Sequence, residues 1–210
     1  MTRAEAMGLL IAFIARLITG AQGHWKGCPP KAEQRIYFAN HQSHFDWVLI
    51  WAALPLDLRT RTRPIAARDY WTSSRFKAWI TREIFNAVYV TRTPAAERAA
   101  DEDPLEPLVD ALDAGDSLVI FPEGTRSSKG DPQPFKAGLY HLAQKFPAVQ
   151  LIPVWIDNVH RVMPKGEVVP VPILCSVTFG APMQLEPDED KRAFLERARA
   201  AVVALREVAA

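Results

Sequence analysis

Short apolar segments that end directly in polar residues constrain the fold of this chain more than any other feature. Ile36–Ala39, Ser117–Phe121 and Val149–Ile156 are rich in β-branched and aromatic residues, and stretches with helical spacing separate them. Strands that alternate with helices predict an α/β protein. With 210 residues, we expect a single domain with a central, mostly parallel or mixed sheet flanked by helices.

The remaining elements follow from the same patterns. Further strand candidates are Pro64–Ala67, Ala87–Thr91 and Leu174–Phe179. Apolar spacing and capping residues predict helices over 47–54, 73–84, 104–115, 137–146 and 188–208. Residues 20–30 contain several Gly and Pro residues and predict a loop that enters the sheet.

The loop between Ile36–Ala39 and the predicted helix 47–54 carries a candidate base. Such a loop lies at the rim of an α/β sheet, where sites usually form. His41 can accept a proton near neutral pH, and a carboxylate such as Asp46 can orient the imidazole and stabilise its cation. Other interpretations stay open: Ser43 and Asp46 also fit a helix-capping box, and His41 also fits an ordinary loop histidine. His44 is an equally available candidate.

A second polar segment, Phe121–Ser127, follows the strand candidate Ser117–Phe121. Pro122 and Gly124 predict a turn. Arg126 is a forked, permanently charged donor that suits a phosphate group, and hydroxyl groups flank it. Alternatively, this is a surface turn in which Glu123 and Arg126 pair with each other.

These blocks, Asn40-His41-x4-Asp46 followed by Phe-Pro-Glu-Gly-Thr-Arg-Ser at 121–127, resemble the glycerolipid acyltransferases of the 1-acylglycerol-3-phosphate type, the lysophospholipid acyltransferases. Three further segments look like blocks of that family in the same order: 88–92, 135–138 and 151–156. The resemblance covers about residues 35–180. This chain departs from the family pattern at Asn86 and Thr91, where Gly and Asp are common.

The resemblance implies roles for named residues. His41 and Asp46 would be catalytic, and Asn40 would give structural support. The acceptor would be bound by Arg92, Glu123, Gly124, Thr125, Arg126 and Lys136. The resemblance implies no metal and no bound cofactor, with acyl-CoA or an acyl-carrier protein as co-substrate. Because no Gly-x-Ser-x-Gly elbow occurs, we expect direct transfer without an acyl-enzyme.

The implied reaction moves a fatty acyl chain from a thioester to the hydroxyl of a lysophospholipid, in the first place 1-acylglycerol-3-phosphate, which gives phosphatidic acid. Two alternatives differ in kind: an acyltransferase or transacylase for another lysolipid, and a non-catalytic phospholipid-binding protein. The net charge of +1 gives no information about a nucleic-acid partner, but no nucleic-acid-binding motif occurs in the sequence, so we expect none. Cys28 and Cys175 are solitary, which argues against a disulfide framework and a zinc site.

Residues 1–30 predict an N-terminal helix and loop ahead of an acyltransferase domain at 31–210. The apolar run Met7–Ala15 is shorter than the ~20 residues that span a bilayer. We expect a helix over residues 4–21 that enters one leaflet or packs on the core; a signal peptide is the alternative.

Residues 57–82 are basic, with seven Lys or Arg residues against two Asp residues, and aromatic residues are interleaved with them. This region suits anionic lipid headgroups or an acidic acyl-carrier protein, although a solvated surface has the same composition. We therefore expect a membrane-associated protein, peripheral or monotopic, at the cytoplasmic face of the inner membrane. The acidic segment 97–116 predicts a solvent-facing amphipathic helix.

Overall fold

A mixed β-sheet organises the chain. The structure is a computed structural model that describes residues 3–19, 22–43, 45–91, 103–127, 131–157 and 175–206. Within these residues seven strands lie in the order β1-β7-β6-β2-β5-β3-β4. Their bounds are β1 Gln22–Trp25, β2 Arg35–Ala39, β3 Thr62–Ala67, β4 Val88–Val90, β5 Ser117–Ile120, β6 Gln150–Ile156 and β7 Ser176–Phe179.

Strand direction sets which loops can meet. β2 is parallel to both neighbours, with Ile36 opposite Leu118 of β5 and Leu151 of β6. β3 is parallel to β5 and β4, so five strands share one direction. β7 is antiparallel to β6, and β1 pairs with β7 in parallel. The ends of β2, β5 and β6 therefore lie at one edge of the sheet, as α/β sites require.

The described helices cover both faces of the sheet. Their bounds are α1 Arg3–Thr19, α2 Asp46–Ala53, α3 Leu56–Arg59, α4 Arg68–Trp71, α5 Arg75–Trp79, a π-helical turn Ile80–Ile84, α6 Glu106–Asp113, α7 Gly138–Lys145 and α8 Lys191–Ala204. Side chains alternate along β2. Tyr37 and Ala39 join the core under α1 and α2, whereas Ile36 and Phe38 join the core under α6, α7 and α8. The predicted α/β fold is confirmed.

Three local predictions need correction. Residues 20–30 are not only a loop, because Gln22–Trp25 pair with β7 as an edge strand; Gly, His and Gln gave no strand signal there. The helix predicted over 73–84 begins at Arg75 and is continuous to Ile84, but its second half, Ile80–Ile84, is π-helical rather than α-helical. Two short helices, α3 and α4, were not predicted, because a single turn has too few residues to show a helical repeat of apolar residues.

Helix α1 packs against the rest of the domain through its small residues. Gly8, Ala12 and Ala15 are buried, and a Cβ added at Gly8 would lie 3.4 Å from Ile84 and 3.5 Å from Trp51. Five large apolar residues of the same helix are exposed, Met7, Leu9, Leu10, Phe13 and Ile14, whereas Ile11 is half-buried against the core. Among the described residues, no helix has the length and apolar character needed to cross a bilayer.

Candidate active site

The candidate site begins where β2 ends. Asn40 is buried and bonds to the last residue of β6 on both sides of its amide: Nδ2 donates to the Ile156 carbonyl at 3.0 Å, and Oδ1 accepts from the Ile156 amide at 2.8 Å. This pair fixes the end of β2 to the end of β6. The loop that follows therefore starts from a rigid point at the edge of the sheet.

His41 and Asp46 form a hydrogen-bonded pair on that loop. Nδ1 of His41 lies 2.8 Å from Oδ2 of Asp46, which is 1% exposed and begins α2. The same oxygen accepts from the amides of Gln42 at 2.6 Å and Ser43 at 2.9 Å. Because an ionised carboxylate only accepts, the shared proton belongs on Nδ1, which leaves Nε2 as an acceptor. No described residue hydrogen-bonds to Nε2.

The capping-box interpretation is only half realised. The Asp46 carboxylate does reach back to the Ser43 amide, as the acidic residue of such a box would. Ser43 does not complete the box, since its hydroxyl accepts from the Phe45 amide at 3.2 Å and Phe45 stands at the N-cap without a side-chain bond. The carboxylate thus orders the loop and binds the imidazole at the same time.

The turn after β5 holds His41 from the other side. The Phe121 ring stacks on the imidazole, with 4.2 Å between centroids and 18° between planes. The His41 amide donates to Oε1 of Glu123 at 2.7 Å, and the His41 carbonyl accepts from the Ser127 amide at 2.8 Å. Contact with the ring and with both backbone groups leaves little freedom for the imidazole.

Gly124 and Lys136 shape the tip of this turn. Gly124 has φ +68°, in the left-handed region that favours glycine, and its amide donates to the Phe121 carbonyl at 3.0 Å. A Cβ at position 124 would lie 2.6 to 2.9 Å from the outer atoms of the Lys136 side chain. The lysine therefore lies across the glycine. Its own amide donates to the Pro122 carbonyl at 2.8 Å, which keeps residue 136 beside the turn.

A cavity of about 630 Å³ opens at His41. Polar or backbone groups come from His41, Gly124, Thr125 and Lys136, together with Thr91. Most of the remaining wall is apolar and includes Ile65, Ala67, Val90, Leu105, Leu108, Ile120, Phe121, Leu139 and Leu142. A cavity that joins an imidazole, a cation and a long apolar wall suits an amphiphilic ligand.

Not every predicted site residue reaches this cavity. Arg126 is exposed and does not line it, although Thr125 next to it does. Glu123 is 2% exposed, and both of its carboxylate oxygens accept backbone amides. Arg92 and the alternative base His44 lie outside the residues that the structure describes. Phe121 was predicted only as part of a strand; its stacking on His41 depends on packing across the sheet edge, which no local pattern reveals.

Cys28 and Cys175 are both buried, and neither forms a disulfide. Burial raises the pKa of Cys28, and it raises the pKa of Cys175 to about 11, with Asp157 and Asp46 adding to the effect. A thiol with a raised pKa stays protonated at neutral pH and is a poor nucleophile. Neither cysteine has the environment of a covalent catalyst.

Comparison with known proteins agrees with the family that the motifs indicate. A sequence model described as Acyltransferase matches residues 28–157. The chain is 32% identical over 141 residues to 1-acyl-sn-glycerol-3-phosphate acyltransferase alpha of Mus musculus, which covers 66% of this chain and 45% of that protein. It is 36% identical over 134 residues to 1-acyl-sn-glycerol-3-phosphate acyltransferase BAT2, chloroplastic, of Brassica napus, covering 62% and 35%.

A solved structure has the same fold. The crystal structure of the 1-acyl-sn-glycerophosphate (LPA) acyltransferase PlsC from Thermotoga maritima superimposes with a TM-score of 0.70 at 21% identity, covering 99% of this chain and 81% of that chain. The chain spans less than half the length of the mouse and Brassica napus relatives. Because the family match extends over more than half of its residues, the chain belongs to the acyltransferase family.

Proposed function

We propose that this protein transfers a fatty acyl group from a thioester to the free hydroxyl of a lysophospholipid, in the first place 1-acylglycerol-3-phosphate. The observation that carries the proposal is the position of His41: its Nδ1 is bonded to a buried carboxylate, and its ring lines a largely apolar cavity beside Lys136. A lipid with a phosphate headgroup combines the same two chemical characters. The printed names of the relatives point to the same class of acceptor.

In the proposed mechanism Nε2 of His41 removes the proton of the acceptor hydroxyl. The oxygen attacks the thioester carbonyl, so a C–O bond forms as the C–S bond breaks. The leaving thiolate takes the proton from the imidazolium, and Asp46 stabilises that cation while the proton is held there. A thiol is a good leaving group, so positioning and one proton transfer supply most of the required catalysis.

Lys136 and Thr125 are the side chains best placed to bind the acceptor's phosphate, since both line the cavity with His41. Arg126 adds a forked donor at the exposed side of the same turn. Arg92 remains a proposed contributor on the basis of the sequence alone. The thioester carbonyl oxygen gains negative charge when it is attacked. The Gly124 amide already donates to the Phe121 carbonyl, so it is not available to stabilise that charge.

We further propose that the protein is monotopic, with α1 lying in one leaflet. Five of its large apolar side chains are exposed, which is unfavourable in water and favourable in hydrocarbon. Exposed Phe76 and Trp79 on α5 supply additional anchors. The cytoplasmic face of the inner membrane, and acyl-CoA or an acyl-carrier protein as donor, stay part of this proposal.

The basic region contributes fewer free cations than its sequence suggests. Arg59 is buried and donates to the carbonyls of Trp51, Ala52 and Leu54 at the end of α2. Arg63 bonds to Asp116 at 3.0 Å and to the Asn86 carbonyl at 2.7 Å. The exposed cations of this region are Arg61, Arg68, Arg75 and Arg82, which remain available to an anionic surface.

The test is turnover by the purified protein with lysophosphatidic acid and either acyl-CoA or acyl-carrier protein thioester, with products identified by mass spectrometry. We expect His41→Ala to lower the rate ~10²–10⁴-fold, because a positioned base contributes about that much. The matched control is His141→Ala on α7, whose side chain is exposed and outside the cavity. Retention of more than about a tenth of wild-type turnover by His41→Ala would contradict the base assignment.

The phosphate assignment has a separate test. Lys136→Met should weaken the use of a phosphate-bearing acceptor roughly ten- to a hundred-fold, since a hydrogen bond to a charged group has about that value. Use of a phosphate-free monoacylglycerol should change far less. Equal losses with both acceptors would remove Lys136 from the headgroup site. Binding of lysophosphatidic acid with no turnover from any donor would favour the non-catalytic alternative.

A further inference from the structure

Glu123 is buried, whereas Thr125 and Arg126 of the same turn are exposed. Its side chain is 2% exposed, Oε1 accepts from the His41 amide at 2.7 Å, and Oε2 accepts from the Gln133 amide at 2.7 Å. Each oxygen thus receives a short, charge-assisted bond from a different segment of the chain. The sequence placed this residue among those that bind the acceptor's phosphate.

A phosphate ligand would be a poor partner for this carboxylate. Like charges repel strongly where water is excluded, and the two oxygens already have backbone partners. Burial raises the pKa of Glu123, while the amides of Gln133 and His41 and the nearby imidazole act in the opposite direction. The geometry of these hydrogen bonds therefore indicates that Glu123 holds the protein backbone in place and does not bind the ligand.

The bonds of Glu123 connect three parts of the site. One end holds the backbone of His41, whose carbonyl is also held by the Ser127 amide at 2.8 Å. The other end holds Gln133, three residues before Lys136. Residue 136 is in turn tied to Pro122 through its amide at 2.8 Å. The loop of the base, the turn after β5 and the segment that carries the cation are joined at one carboxylate.

We infer that Glu123 is a positioning residue that fixes the separation between the His41 imidazole and the phosphate-binding side chain of Lys136 without touching the substrate. The inference rests on the proposed function, because it assigns Glu123 to the geometry of that reaction. It predicts that loss of Glu123 impairs the chemical step more than it impairs acceptor binding.

The main experiment compares Glu123→Gln with the wild type. The variant keeps the shape of the side chain, but its amide group must face one of two N–H donors, so one bond is lost. We expect kcat to fall roughly ten- to a hundred-fold, while KM for lysophosphatidic acid changes by less than about twofold. Lys136→Met should show the reverse, a raised KM. Glu189→Gln, the same exchange at a carboxylate that bonds to Arg197 and does not line the cavity, should leave both constants unchanged.

A rise in KM at constant kcat would overturn the inference, since Glu123 would then contact the acceptor. Unchanged kinetic constants would overturn it as well. If Glu123→Gln does not fold, Glu123→Asp replaces it: the charge stays, but the shorter side chain cannot reach both amides. The same loss of kcat is then expected, and wild-type activity would overturn the inference.

A readout without turnover separates this inference from the proposed function. In spectra of nitrogen-15-labelled protein, the backbone amide protons of His41 and Gln133 should lie far downfield. In Glu123→Gln at least one of them should move upfield. Absence of acyl transfer by the wild type would refute the proposed function alone. Amide signals that stay in place in the variant would refute the positioning role, whatever the activity.

Discussion

Helices α1 and α8 cover opposite faces of the sheet, and they differ in which side chains they bury and which they expose. In α8 the apolar residues Phe194, Ala198 and Val202 are buried, while Arg192 and Glu196 pair with each other at the surface. In α1 the fully buried residues are small, Ile11 is half-buried, and five large apolar residues are exposed. The first arrangement is the usual one for a helix in water. The second indicates that the outer surface of α1 is adapted to an apolar surrounding.

The comparison also separates the two proposed tasks of the protein, acyl transfer and attachment to a membrane. The core under α6, α7 and α8 carries the cavity wall, since Leu108, Leu139 and Leu142 belong to both. The face under α1 and α2 carries the exposed apolar side chains. His41 lies at the edge between the faces, with a ring that contacts Phe121. If both proposals hold, acyl transfer and membrane attachment can therefore be altered separately by mutation.

The largest expected contrast uses the same substitution on both helices. Phe194→Ala should lower the free energy of unfolding by ~3–5 kcal/mol, because a fully buried ring leaves a cavity. Phe13→Ala, at a side chain that is 62% exposed, should change it by less than about 0.5 kcal/mol and should weaken binding to vesicles of anionic phospholipid. Urea denaturation and vesicle sedimentation measure the two effects. A stability loss at Phe13 comparable with that at Phe194 would show that α1 packs with its large residues inward.

A second substitution tests the inner surface of α1 directly. Ala12→Leu should lower the free energy of unfolding by ~1–3 kcal/mol, since Ala12 is buried against the core and a larger side chain would overpack the contact. The control is Leu10→Ala on the exposed side of the same helix. If Ala12→Leu leaves the unfolding midpoint in urea unchanged, α1 does not pack closely on the domain.

The smallest expected effect concerns the ion pair between Glu189 and Arg197, whose side chains are 10% and 35% exposed. The Arg197 side chain hydrogen-bonds to Glu189 and lowers the pKa of that carboxyl. A lowered pKa contributes stability that is present above the unfolded value, near 4.5, and is lost as the pH falls through the folded value. Glu189→Gln should therefore lower the free energy of unfolding by less than about 1 kcal/mol at pH 7. The difference from the wild type should shrink as the pH is lowered toward 4. A constant difference across that range would exclude the ion pair as its cause.

The sequence predicted the parts of the site that are close together along the chain. His41 and Asp46 lie five residues apart on one loop, so their contact followed from local spacing. Their approach to Thr125 and Lys136 followed from parallel strands that end at one edge. The two hydrogen bonds of Glu123, to the amides of His41 and Gln133, could not be predicted. The local sequence is the same whether this carboxylate is buried or lies at a phosphate-binding site.

The orientation of α1 was also beyond the sequence. Residues 7–15 are apolar or Gly throughout, so no polar face marks which side turns inward. What decides is the fit of small residues against Trp51 and Ile84, two side chains that are distant in the chain. The prediction left open a helix packed on the core and one that enters a leaflet. In the structure the small residues of α1 lie against the core. Attachment to a membrane stays a prediction that the substitution at Phe13 tests.

The direction of β1 has a consequence for how a substrate travels. β1 pairs in parallel with β7, which runs against β6 and therefore against β2. Gln22, the first residue of β1, accordingly lies at the edge where β2 ends, and α1 ends only three residues earlier, at Thr19. With α1 immersed as proposed, the edge that carries the imidazole would lie near the headgroup layer. Under the proposed function, a lysolipid acceptor would then reach the cavity from the bilayer, and the two-chain product would return to it, without either passing through water.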